Sequence, residues 1–375
     1  MKKKILILLM IMLFFSSCNK NTDKTKDNIQ KSNNTEQITD ENNSNKIKDN
    51  TENSDQKSDD QNLDNKDISN KKEDKLLKID LSKKPNEMGR IMVFMYHGIG
   101  EEGPYTRSPE KLREDLEILY EKGYHPISLR DYVNGNIITP IGKTPYVLTF
   151  DDTNDNNFKY LEDGSLDPDC AVAILLEFAE KHKDIKPYAS FFGNGQVPFR
   201  QEGTEEKKID FLLNNYMDIA NHTVNHPDLT PMNKEEITYE VGAQGKYLQS
   251  LVKKEGYKID MLALPFGSRP ESEEATEALR KGTYEGYSYE NFAILNVGWD
   301  PYYSPYHVDF DPLSIHRVTG SEIDVDGVGI RDWIKYLDDN PSERFISDGE
   351  PDIVTVPIEY AENLKDIQNK EILKY

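Results

Sequence analysis

His222 and His226 stand four residues apart in the stretch HTVNH. If that stretch winds as a helical turn, positions i and i+4 share a face and both imidazoles reach one point. The spacing alone is a weak signal. Upstream, the apolar run YVLTF (146–150) ends in two adjacent acids, Asp151 and Asp152. Successive side chains of a strand face opposite ways, so a strand that stops there can give its two carboxylates different tasks. Two neutral imidazoles and one carboxylate (Asp152) form a three-ligand set with open positions, the arrangement of hydrolytic metals.

The elements that must position these groups are legible as an alternating pattern. Residues 90–97, 146–150, 188–193, 216–222, 261–267, 292–298 and 313–318 read as buried strands, with 352–357 as a terminal strand. Helical patterns fall between them. Ser108 fits an N-cap with Pro109 at the first position, Leu112, Leu116 and Leu119 on one face, and Gly123 as the stop. Asn233 and Glu236 frame a capping box before a long helix. PDCAVAILLEFAEKH, ESEEATEALRKG and GIRDWIKYLDDN supply further helices. The alternation predicts a parallel α/β architecture, and about seven units suit a barrel better than a Rossmann half. No G-x-G-x-x-G follows a strand, which argues against a dinucleotide.

In such folds the functional groups gather at the carboxyl ends of the strands. Here those ends carry Tyr96-His97, Asp151-Asp152, Asn221-His222, Pro265-Phe266-Gly267, Trp299-Asp300 and His316. Four of the seven histidines fall at these ends or just beyond, which is where chemistry is expected.

The chain has 375 residues, a net charge of −22 and two cysteines, but the polar residues are unevenly spread. Lys2, Lys3 and Lys4 precede the apolar run ILILLMIMLFF and then SSC, ending at Cys18. The run is too short to span a membrane. The small-small-Cys ending resembles a bacterial lipobox, with Phe15 in place of the usual Leu. It implies a signal peptide over 1–17 and lipid on Cys18; an ordinary cleaved signal peptide is the alternative. Two acyl chains would hold the mature chain at the outer face of the cell membrane. Residues 18–75 carry almost no apolar side chains and read as a disordered tether, reaching roughly 40 Å by the ~5–6 Å × √n rule. Residues 76–375 form the functional domain. Cys170 is left without an internal disulfide partner and sits in an apolar helix, where it is expected to be buried and inert. The acidic balance argues against nucleic acid and against charge-driven binding to anionic lipid. A monomer is expected.

TFDD (149–152), HTVNH (222–226) and LPFG (264–267), with FMYHGIG near the start, resemble the motifs of the polysaccharide deacetylase family, the NodB-homology carbohydrate esterases. The resemblance covers roughly residues 90–320, with an insertion after Asp152. It implies a distorted (β/α)7 barrel that removes N-acetyl groups from an amino-sugar polymer, such as poly-N-acetylglucosamine or peptidoglycan glycan. Carried over by position, Asp151 is the general base, and Asp152, His222 and His226 bind a divalent metal, usually zinc. His316 is the candidate general acid. The Phe266 N–H is a candidate oxyanion donor beside Pro265, with His97 and Trp299 as further substrate-side candidates. For His97 a core or capping role stands as the alternative, and for Trp299 and the nearby Tyr302, Tyr303 and Tyr306 the alternatives are a sugar platform or core.

The sequence departs from the family pattern at Thr153, where Gly is common, and at Ala263, where many members carry the Arg that holds the base. Arg269 or Arg317 could take that place. Two other functions share the scaffold: an O-acetyl esterase on xylan-like glycans, and a non-catalytic carbohydrate-binding lipoprotein.

Overall fold

The computed structural model describes residues 79–298, 300–323 and 328–375. The signal segment, Cys18, the 18–75 tether and Trp299 lie outside the described residues. Among the described residues no helix is long and apolar enough to cross a membrane.

Seven strands build the centre: β1 (Met92–Tyr96), β2 (Thr144–Asp151), β3 (Ala189–Gly193), β4 (Met217–Asn221), β5 (Met261–Ala263), β6 (Ala293–Leu295) and β7 (Val318–Thr319). They hydrogen-bond in the order β6-β5-β4-β3-β2-β1-β7, all parallel, with Tyr124–Pro126 as a side branch on the start of β2. The chain before β7 completes the ring. Ile315 pairs with Leu295 of β6, while Val318 pairs with Phe94 of β1. One segment thus joins the two edges, and the result is a distorted (β/α)7 barrel. This is also why the seventh strand is two residues long rather than spanning 313–318: its first half is bonded to β6. A second distortion lies between β4 and β5, which share a single residue pair, Asn221 with Leu262.

Among the described residues six longer helices pack outside, α1 (Pro109–Glu121), α2 (Ala171–Lys181), α3 (Glu205–Asn214), α4 (Lys234–Leu251), α5 (Glu273–Arg280) and α6 (Ile330–Asp339), beside a short one at Leu129–Val133. Ser108 caps α1, and Asn233 with Glu236 forms the expected capping box of α4. Helix α3 and the hairpin Lys281–Tyr284/Tyr287–Glu290 had no sequence signal strong enough to predict them. The α3 sequence EEKKIDFLLN is mostly polar and buries Ile209, Leu212 and Leu213. The terminal strand Ile353–Val356 pairs with Glu371–Lys374, outside the barrel.

Alternation along each strand sorts the core. Val93, Val147, Phe192, Ala220, Ala263 and Leu295 share the interior cluster, whereas Phe94, Leu148, Phe191 and Ile219 pack outward with the helices. Continuing β2 by twos from Val147 puts Thr149 and Asp151 on the inward face, so the apolar barrel fill gives way to polar groups at the carboxyl end.

Before β1, the buried Glu87 lies beside the buried Asp348, whose backbone N–H donates to Glu87 Oε1 at 3.3 Å. Burial, and then the Asp348 charge, hold the Glu87 acid well above the ordinary glutamate range. An acid whose pKa rises on folding binds more protons in the folded state. Its destabilising effect is absent below the unfolded value near 4.3 and grows as pH rises toward the folded value. Glu87→Gln is therefore expected to raise the denaturant midpoint near pH 7.5, with the gain vanishing below about pH 4; unfolding curves at both pH values check it.

Candidate active site

Asp151 ends β2 and is 2 % exposed, and the guanidinium of Arg317, 0 % exposed, meets it head-on. Arg317 Nη1 donates to Asp151 Oδ1 and Nη2 to Oδ2, each at 2.8 Å. Two further donors are also used: Nε to the Asn296 carbonyl at 2.9 Å and Nη1 to Thr149 Oγ1 at 3.2 Å. Burial alone would raise the Asp151 carboxyl; the Arg317 charge and its two hydrogen bonds override this and hold it below the ordinary aspartate range. The place left empty by Ala263 is therefore filled from the far side of the barrel. Arg317 lies two residues after the inward Ile315 and shares its face. Arg269 is engaged elsewhere, with Asn296 Oδ1 at 2.9 Å and the Leu313 carbonyl at 2.5 Å.

Asp152 turns the other way because its backbone does: its φ is 72°, and Thr153 follows at 44°. Non-glycine residues seldom occupy this region, so the turn carries strain. Asp152 Oδ1 lies 3.7 Å from His222 Nε2 and 3.8 Å from His226 Nε2. The two histidines do not share a helix face, contrary to the expectation from their spacing. They sit on a loop beyond β4, in which Thr223 and His226 both adopt positive φ and Thr223 Oγ1 accepts the His226 N–H at 3.2 Å. The loop brings the rings together edge-on, with centroids 4.8 Å apart.

The donor set fits a divalent ion. His222 Nδ1 lies 2.9 Å from the Ala263 carbonyl, which can only accept, so Nδ1 carries the proton. Burial pushes the His222 imidazole below its ordinary value, which favours the neutral ring with a bare lone pair on Nε2. That lone pair faces the carboxylates of Asp151 at 3.9 Å and Asp152 at 3.7 Å, too far for hydrogen bonds. Lone pairs converging on one small space suit a cation between them. One ligand atom from each of Asp152, His222 and His226 lies within 4.8 Å of the others. Two nitrogens and one oxygen are donors that zinc accepts.

Supporting residues escaped the sequence reading. Glu240 of α4 accepts the N–H groups of Val224 and Asn225 and the Asn225 side-chain amide, which fixes the histidine loop. Gln244 Nε2 donates to the carbonyls of Gly193 and Gly195. Their one sequence signal is that polar residues occupy the inward stripe of an otherwise amphipathic helix.

His316 Nδ1 lies 3.0 Å from Asp300 Oδ1, and Asp300 Oδ2 accepts from Arg90 Nη1 at 3.2 Å. The His316 side chain is 42 % exposed and backed by the Tyr302 ring. Tyr302 and Tyr306 are core residues, and Tyr303 stacks on His307, so these tyrosines form no open platform. Pro265 is buried; Phe266, at φ 56°, projects its ring to 69 % exposure and meets His226 edge-on at 4.7 Å. His97 is half-buried at the site wall, edge-on to Tyr105 at 5.4 Å. Burial pushes its imidazole down against the opposing charges of Asp151 and Asp152. Cys170 is buried at the start of α2, its thiol raised by burial.

Residues 140–286 match the family model described as Polysaccharide deacetylase. Over that stretch the chain is similar to the polysaccharide deacetylase family. The matched stretch contains Asp151, Asp152, His222, His226, Pro265 and Phe266; His97 precedes it, and His316 and Arg317 follow it. A search of curated proteins returned no match. Among solved structures the chain is similar to the deacetylase PplD of Streptococcus pyogenes, at 19 % identity and TM-score 0.47, covering 66 % of this chain and 98 % of that one. It is also similar to IcaB of Ammonifex degensii, at 18 % identity and TM-score 0.48, covering 66 % and 97 %. A Bacillus anthracis protein, BA3943, described as a CE4 family pseudoenzyme, is similar at 15 % identity and TM-score 0.29, covering 52 % and 60 %.

Removing one member of a buried ion pair strands the other charge at a cost of about 3–5 kcal/mol. Arg317→Met and Asp151→Asn are each expected to lose stability of that order, and the double variant less than their sum. Denaturant unfolding of the metal-stripped protein measures the coupling; additive losses would contradict the pairing.

Proposed function

We propose that the chain is a metal-dependent polysaccharide N-deacetylase, with zinc as the resident ion and poly-N-acetylglucosamine or peptidoglycan glycan as the substrate. One observation carries this reading: three metal-type donors converge beside a carboxylate that a buried arginine keeps ionised.

Asp152, His222 and His226 would hold the ion. When bound, it supplies Lewis acidity toward the acetyl carbonyl and toward water. Asp151, ionised and fixed by Arg317, takes the proton of the water that attacks the carbonyl carbon. The C–N bond then breaks, and His316 Nε2 passes a proton to the departing sugar nitrogen, leaving acetate and a free amine. Asp300 holds the other ring nitrogen, which fixes the orientation of His316. The Phe266 N–H is the second stabiliser of the oxyanion, a role worth ~2.7–4 kcal/mol. Pro265 and His97 border the sugar. The basic, apolar and SSC segments ending at Cys18 support a lipid anchor at the outer face of the cell membrane, with a monomeric catalytic domain working at the end of the tether.

The reading is tested on purified protein by metal analysis and acetate release. About one zinc per chain is expected, with acetate from N-acetylglucosamine oligomers or peptidoglycan and little from acetylated xylan. Asp151→Asn and His316→Ala should each lower kcat by about 10²–10⁴. Zinc without acetate from any glycan would favour the non-catalytic binder; release from xylan alone would favour the esterase. Cys18→Ser should move the chain from the membrane fraction to the soluble one, as fractionation of expressing cells would show.

A further inference from the structure

One small assembly around Asp152 is used by none of the steps above. β3 ends at Gly193, and the next residue, Asn194, is 7 % exposed and points its side chain at Asp152. Asn194 Nδ2 donates to Asp152 Oδ1 at 2.8 Å. This is the oxygen that faces both histidine Nε2 atoms. Arg200 Nη2 donates to Asn194 Oδ1 at 2.5 Å and to the Asp152 backbone carbonyl at 3.1 Å. A guanidinium only donates and a carboxylate only accepts, so the amide between them has one possible orientation. A directed chain runs from cation through amide to carboxylate, and each bond polarises the next.

The surroundings hold this chain in place. Phe199 and Arg200 both adopt left-handed φ, at 62° and 49°, to bring the guanidinium back over the loop. Gly195 leaves it room, since a Cβ there would lie 3.3 Å from Arg200 Nη1. Gly195 N–H donates to the Val224 carbonyl within the histidine loop, so the assembly touches the strands' ends that carry all three ligands. Arg200 itself is exposed, and among the described residues no carboxylate pairs with it. Strained backbone and an exposed arginine spent on an amide and a carbonyl are poorly explained by stability alone.

We propose that Asn194 and Arg200 are positioning residues for the ion held by Asp152, His222 and His226. The inference rests on the metal-dependent reading. Asn194 occupies one lone pair of Asp152 Oδ1 and stops the carboxylate from rotating, which presents the remaining lone pair toward the histidines. Arg200 locks the amide and the Asp152 peptide at once. Partners of this kind typically set metal affinity by 10–100-fold.

The test uses the full chain, stripped with chelator and titrated with Zn²⁺ by calorimetry and with Co²⁺ by visible absorption. Asn194→Ala is expected to weaken Zn²⁺ binding by about 10–100-fold and to change the Co²⁺ band. Arg200→Ala, at an exposed position, should weaken it several-fold while leaving the thermal midpoint of the metal-free protein unchanged. It decides the matter alone if Asn194→Ala does not fold. A purely structural role would move that midpoint and leave the metal constants and the band alone. Wild-type constants and spectra in the variants, with binding lost in His226→Ala, overturn the inference and spare the metal reading. A wild-type chain that binds neither ion overturns both.

Discussion

The buried pair of Asp151 and Arg317 is the constraint around which the rest of the site is arranged. Taking two charges out of water is expensive, and only close, bidentate geometry with the leftover donors satisfied makes it tolerable. Here parts of the barrel itself supply that geometry and engage four of the five donors: Thr149 from β2, the Asn296 carbonyl beyond β6, and the carboxylate at the strand end. With Asp151 committed inward, its neighbour must leave the strand plane. The left-handed turn at Asp152 and Thr153 is how it does so. The division of labour between adjacent carboxylates thus begins as a packing requirement.

The other loops repeat the same device. Thr223, His226 and Phe266 adopt positive φ where β4 and β5 run out. His226 and Phe266 meet edge-on at the mouth, Thr223 braces the His226 backbone from within, and Glu240 holds the histidine loop from behind. The sparse β4–β5 pairing adds a further use for His222. Its Nδ1–H bond to the Ala263 carbonyl spans a place where the ladder has nearly lapsed, so one ring both sutures the barrel and faces the site.

Much of this was written in short-range patterns. Strand alternation, the Ser108 and Asn233 caps and the acids closing β2 have local causes, and a local reading finds them. Asp151, Asp152, His222 and His226 were legible because their motifs are compact. The partner of Asp151 was legible only as a choice between Arg269 and Arg317, since Arg317 reaches it across 166 positions of chain and only closure of the barrel brings them together. The fold likewise brings Asp300 beside His316 and Asn194 beneath Asp152. The helical reading of H-x-x-x-H failed because spacing alone does not distinguish a helix from a loop built on left-handed residues. Helix α3 escaped because its stripe of Ile209, Leu212 and Leu213 is too narrow to stand out among charges.

His316 and Arg317 are consecutive residues on the segment that zips the barrel shut. The proposed proton donor and the clamp on the proposed proton acceptor therefore ride on one short stretch, held to β6 on one side and to β1 on the other. Local openings draw on the least-paired parts of a fold, and a two-residue strand is among them. A fluctuation that frees this seam would take away both functions in a single event, without any intermediate that keeps half of the machinery. The Asp151–Arg317 ion pair is the rivet across that seam.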